Sequence, residues 1–81
     1  MQPAEIAALI QAELANADAR VASADNTHFE AVVISPDFEG KRPIQRHQMI
    51  YACLGDRMGG EIHALSIQAF TPDEWQSRRS G

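Results

Sequence analysis

Apolar and polar residues alternate along EIHALSIQAF, residues 61–70, so that Ile62, Ala64, Ser66, Gln68 and Phe70 share one side and His63, Leu65, Ile67 and Ala69 the other. That period predicts a strand, with an ionisable ring at the head of an apolar row. A second strand is expected over 29–35, FEAVVIS, where Val32, Val33 and Ile34 suit a buried pleated surface and Pro36 ends the run. Residues 20–24 read as a short edge strand. Asp25, Asn26 and Thr27 then form a turn-like cluster before His28, which predicts an antiparallel hairpin.

Spacings of three and four mark the helices. Ile6, Leu9, Ile10 and Leu14 follow Pro3 and predict an amphipathic helix over about residues 3–16. A second helix is expected from Pro43 to about Met58, stopped by Gly59 and Gly60. At 100° per residue it gathers Ile44, His47, Ile50, Tyr51, Leu54 and Met58 on one side, with Gln45, Gln48 and Asp56 opposite. Thr71, Pro72 and Glu74 supply an N-cap, a first-turn proline and a capping-box acid for a last helix, with fraying expected after about residue 77.

The predicted order is helix, strand, strand, helix, strand, helix. It implies an α+β sandwich in which helices cover one face of a three-stranded mixed sheet, the third strand arriving through a helical crossover. Such an order fits a small KH-like domain among other small α+β folds. Eighty-one residues make one domain, 1–81, because a chain this short buries little more than about 60% of its unfolded surface. Hydrophobic residues at 44% and charged residues at 22% are ordinary globular values, so the chain has the material for a core.

Charge and residue inventory narrow the chemistry. The N-terminal MQPAEIAALIQAEL lacks a basic leader and a continuous apolar run, so neither a signal peptide nor a membrane span is expected and the chain reads as cytoplasmic. With Cys53 alone there is no internal disulfide framework and no Cys-based metal cage within one chain. A net charge of −4 argues against a surface that attracts nucleic acid everywhere. The exception is GKRPIQRH, residues 40–47, where Lys41, Arg42 and Arg46 occur with no acid among them. They could meet phosphates or a polar protein edge, or form a plain solvated face. No nucleophile elbow, phosphate loop or zinc spacing occurs, so an enzyme is not expected.

Each histidine has two readings. His63, in an apolar strand, is either a core ring satisfied by a backbone carbonyl or a ligand. His28 flanks a strand and could be a plain surface residue. His47 is expected to be a partly buried packing residue, with Arg46 beside it more exposed. Cys53 reads as a buried structural thiol, and Trp75 as a ring packed on the sheet edge.

THFEAVVISPDFEGKRPIQRHQMIYACL followed by EIHALSIQAFTPDEW resembles the BolA family, and the short chain ending soon after TPDEW resembles its IbaG-like bacterial branch. The likeness covers about His28 to Trp75, with His-Phe, Phe-x-Gly, Arg-His, Tyr-x-x-Leu, Ile-His-Ala and Thr-Pro-x-x-Trp in order. It implies a class II KH-like fold and two kinds of role. One is a heterodimer with a monothiol glutaredoxin, sharing a [2Fe–2S] cluster with glutathione that the isolated chain does not hold stably. The other is DNA binding and transcriptional regulation.

The resemblance implies that His63, in Ile62-His63-Ala64, ligates iron, since imidazole suits iron and can replace thiolate on a cluster. A second ligand is implied from the loop between the first two strands, where His28 is the residue of the right type nearest to hand. Phe38-Glu39-Gly40-Lys41 occupies the place of a KH domain's GXXG loop, with one glycine missing and Glu39 where phosphate would approach. DNA binding through Lys41, Arg42 and Arg46 is therefore expected to be weak.

Overall fold

The computed structural model describes residues 1–60, 62 and 64–80, excluding the side chains of residues 79 and 80. The element order is α1 (Pro3–Glu13), β1 (Asp18–Ala22), β2 (His28–Ile34), α2 (Pro43–Leu54), β3 (Ala64–Phe70) and α3 (Pro72–Ser80), with short 3-10 turns at Pro36–Phe38 and Gly55–Arg57. β1 pairs antiparallel with β2, and β2 pairs in parallel with β3, so the sheet is mixed and runs β1-β2-β3. This is the α-β-β-α-β-α arrangement that the sequence predicts.

One face of the sheet carries the core. Ala19 and Val21 from β1, Phe29, Ala31 and Val33 from β2, and Leu65, Ile67 and Ala69 from β3 alternate toward α1 and α2. Ile6, Ile10, Ile50, Leu54 and Phe38 close over them and are fully buried. Each such side chain contributes about 1.5–3 kcal/mol relative to exposure. α1 lies over β1, and α2 packs beside it toward β3. The third helix departs from the expectation of helices on one face. Trp75 meets Phe70 with ring centroids 5.5 Å apart, and the Arg20 guanidinium lies 5.3 Å from the Trp75 centroid. Phe70 and Arg20 alternate away from the core, so α3 reaches the opposite face.

The boundaries move for local reasons. α1 ends at Glu13 rather than about 16, where the Leu14 backbone leaves helical geometry and Ala17 N–H turns back to Leu14 O at 2.9 Å. β1 begins and ends two residues earlier than 20–24, because Ser23 is taken by the turn: its Oγ donates to His28 O at 2.6 Å and accepts from Asn26 N–H at 2.9 Å. Likewise Ser35 leaves β2 to cap the following turn, accepting from Asp37 N–H at 3.1 Å. α2 stops at Leu54 and not Met58, since Gly55 adopts φ 55° with ψ −131°, a conformation side-chain-bearing residues avoid.

The apolar side expected for α2 is divided. Ile50 and Leu54 are buried and His47 is half-buried, but Ile44 is 67% and Tyr51 39% exposed. The face that meets the core is rotated toward Met49 and Cys53, because α1 packs on that flank. The last helix starts as predicted: Thr71 Oγ1 accepts from Glu74 N–H at 3.2 Å, and Glu74 Oε1 accepts from Thr71 N–H at 2.9 Å.

Candidate functional site

The β1–β2 turn is built around Asp25. Its Oδ1 accepts from the N–H groups of Thr27 and His28, each at 2.9 Å, and its Oδ2 lies 2.9 Å from His28 Nδ1. Asn26 sits between them at φ 58°, a left-handed conformation that Asn tolerates better than most residues. The backbone N–H of His28, its ring, and the N–H of Thr27 together hold the Asp25 carboxyl well below the usual carboxylate range. With Asp25 ionised, the partner assigns the ring proton of neutral His28 to Nδ1, which puts the lone pair on Nε2.

This ring stands at the first position of β2 and its side chain is 64% exposed. It lies on the rim of a groove of about 630 Å³, lined by Ala22, Ser23, Asp25, Glu30 and Ser66 among others. His28 is in register with Ala64, the first residue of β3, whose N–H donates to Thr27 O at 3.3 Å. His63 precedes Ala64 in the chain and lies outside the described residues. Among the described residues, no group of three or more His, Cys, Asp or Glu side chains could hold a metal ion.

The basic segment is not one patch. Lys41 and Arg42 are exposed, whereas the Arg46 side chain is 11% exposed, against the expectation that it would be the outward neighbour of His47. Arg46 Nε donates to Lys41 O at 2.9 Å, and Nη1 donates to Ala69 O at 3.1 Å. Nη1 and Nη2 also reach Glu74 Oε1 at 2.6 Å and Oε2 at 3.1 Å. That fork lowers the Glu74 carboxyl to about 2, with the Thr71 N–H adding to it, and raises Arg46. Arg46 is thereby committed to joining α2, β3 and α3.

Cys53 is half-buried, donates through Sγ to Met49 O at 3.2 Å, and has its thiol pushed up by burial, as a structural residue would. Two partners are not evident from the sequence. Asp25 reads only as a turn residue, although an acid three residues before a candidate ligand is the spacing that lets both its oxygens engage the same residue. Glu74 reads only as a capping acid; its second task depends on a residue 28 positions away, for which no local signal exists.

No helix among the described residues is long and apolar enough to cross a membrane. The chain is 50% identical to human BolA-like protein 1 over 50 residues, 62% of this chain and 36% of that protein. It is 44% identical to the DNA-binding transcriptional regulator BolA of Haemophilus influenzae over 52 residues, 64% of this chain and 50% of that one. The chain thus spans half or less of the length of these curated relatives. A solved bolA protein homologue from Coxiella burnetii superimposes with a TM-score of 0.80 at 41% identity, covering 94% of this chain and 97% of its own. The family model for BolA-like proteins matches residues 4–74, and with the fold described above the chain belongs to the BolA family.

Proposed function

We propose that the chain is a non-catalytic cytoplasmic partner of a monothiol glutaredoxin, with which, together with glutathione, it holds or relays a [2Fe–2S] cluster. The observation that carries this reading is the Asp25–His28 pair on the groove rim. A carboxylate on the far nitrogen is what metal-ligating histidines commonly have: it fixes the tautomer, orients the ring and raises its basicity. His28 would supply one ligand and His63 the other, and imidazole in place of thiolate raises the potential of a cluster. Thiolates of the glutaredoxin and of glutathione would complete the set, so the cluster is cargo carried between two proteins.

The test mixes the chain with a monothiol glutaredoxin, glutathione and a reconstituted cluster, followed by visible absorption and circular dichroism. A new visible signature that needs both proteins is expected, while the isolated chain stays colourless. A [2Fe–2S] protein assembled stably from this chain without glutaredoxin would overturn the shared-cluster reading.

A second reading, a DNA-binding regulator, is favoured by the name of the Haemophilus influenzae relative and by exposed Lys41 and Arg42. Lys41→Glu with Arg42→Glu should weaken duplex binding at all sequences and reduce the slope of log affinity against log salt by about 2. Arg46 is left out of that variant because its loss would disturb the fold. Fluorescence anisotropy at several salt concentrations reads the slope. Tight, sequence-selective binding at physiological salt, abolished in this variant and intact in His63→Ala, would make regulation the primary function.

A further inference from the structure

β3 is an outer strand of the sheet, and among the described residues no strand pairs with the edge it turns away from β2. Ala64 N–H and Phe70 C=O point inward, to Thr27 O and from Ser35 N–H, so Leu65, Ile67 and Ala69 turn their N–H and C=O groups outward. Arg46 Nη1 takes Ala69 O. Among the described residues, no donor or acceptor meets the outward groups of Leu65 and Ile67. The strand ALSIQAF also has no charge or proline, the usual protections of an edge. β1, the opposite edge, has both a charged pair, Asp18 and Arg20, and a side-chain partner, Gln11, on Ala19 N–H at 3.0 Å.

A second surface borders this edge. Met49, Ala52 and Cys53 of α2 face the end of α1, so Ile44, His47 and Tyr51, on the opposite flank of the helix, fall on the β3 side of a right-handed β2–α2–β3 crossover. Ile44 and Tyr51 are the two exposed large hydrophobic side chains among the described residues. The apolar area the fold leaves uncovered thus runs beside unpaired backbone. The geometry points to β3 as a docking edge for an extended segment of a partner protein, added antiparallel, with apolar side chains on Ile44 and Tyr51 and acidic residues at its N-terminal end.

Charge and direction specify that occupant. Arg46 spans Lys41 O and Ala69 O, which puts the exposed Lys41–Arg42 corner at the Ala69 end of the edge. Glu39 in the same loop offsets one of the two positive charges, leaving a corner of modest positive charge that complements a short acidic segment. Antiparallel addition is the more stable per residue and places the N-terminus of the incoming strand at that corner.

Four peptides test this: acetylated and amidated DDVTVTV, its charge-reversed twin KKVTVTV, and DDVTVTV N-methylated on its valine or on its threonine nitrogens. With the full chain, DDVTVTV should perturb the Leu65 and Ile67 amide resonances and slow their hydrogen exchange. One N-methylated form should lose about tenfold or more in affinity and the other should not, since alternate nitrogens of an added strand face β3. KKVTVTV, or DDVTVTV against Lys41→Glu, should bind more weakly. Equal binding of both N-methylated forms, or no protection of Leu65 and Ile67 at millimolar DDVTVTV, overturns the proposal. So does the same protection arising from raised protein concentration alone, which would mean self-pairing, or from an oligothymidylate, which would mean a nucleic-acid groove.

Discussion

Arg46→Ala is expected to destabilise the fold by about 2 kcal/mol. An exposed ion pair contributes roughly 0–1 kcal/mol, and breaking a buried one costs roughly 3–5 kcal/mol. Arg46 lies between these limits: its side chain is 11% exposed, while that of Glu74 is 47% exposed and can be rehydrated. Truncation also leaves Lys41 O and Ala69 O to find water. Arg46→Lys should recover only part of the loss, because an ammonium cannot span two backbone carbonyls and both oxygens of a carboxylate. The pair also has a pH signature. Glu74 is lowered from an ordinary 4.5 to about 2 in the folded chain, so its contribution is present above about 4.5 and fades as pH falls toward 2. Urea midpoints measured across that window should therefore fall less steeply in Arg46→Ala than in the native chain. An unchanged midpoint at neutral pH would show that the fork is not holding α3 in place.

The second large effect concerns the cluster. His28→Ala and His63→Ala should each abolish the visible circular dichroism of the mixture with glutaredoxin, since each removes one proposed ligand. His28→Ala should leave the fold nearly as stable, because the ring is 64% exposed and Asp25 would still accept the N–H groups at positions 27 and 28. Asp25→Ala should weaken cluster retention by about 10–100-fold through loss of the oriented ring. Full dichroism in His28→Ala would remove it from the ligand set. A loss of several kcal/mol in His63→Ala would instead mark that residue as part of the core.

Much of the architecture was legible because its signals are local. Period-two alternation marked β3, β-branched residues marked β2, and Thr71-Pro72-Asp73-Glu74 marked the start of α3 down to the capping bonds themselves. What failed depends on residues distant in sequence. A helical period shows that α2 is amphipathic, but the neighbour that fixes which flank is covered is α1, and so Ile44 and Tyr51 share the predicted apolar side yet stand exposed. Arg46 looked like a surface cation until β3 and α3 brought Ala69 and Glu74 to it. Of the candidate site, the residue type at His28 was readable and its orienting carboxylate was not. His63 is singled out by the family resemblance through Ile62-His63-Ala64, and it lies outside the described residues.

The parallel pairing of β2 with β3 also sets an order of assembly. β1 and β2 are joined by a tight turn and can zip together locally, whereas β3 must wait for the long crossover that contains α2, with its larger loop-closure entropy. α3 follows β3 directly and is fastened through Arg46, so it can settle only after both α2 and β3 are in position. Opened from the native state, the same contacts should give way in reverse. Assembly is thus expected to divide in time between an early hairpin and a late stage in which α2, β3 and α3 dock, and contacts that mature only in the late stage restrain unfolding more than they hasten folding.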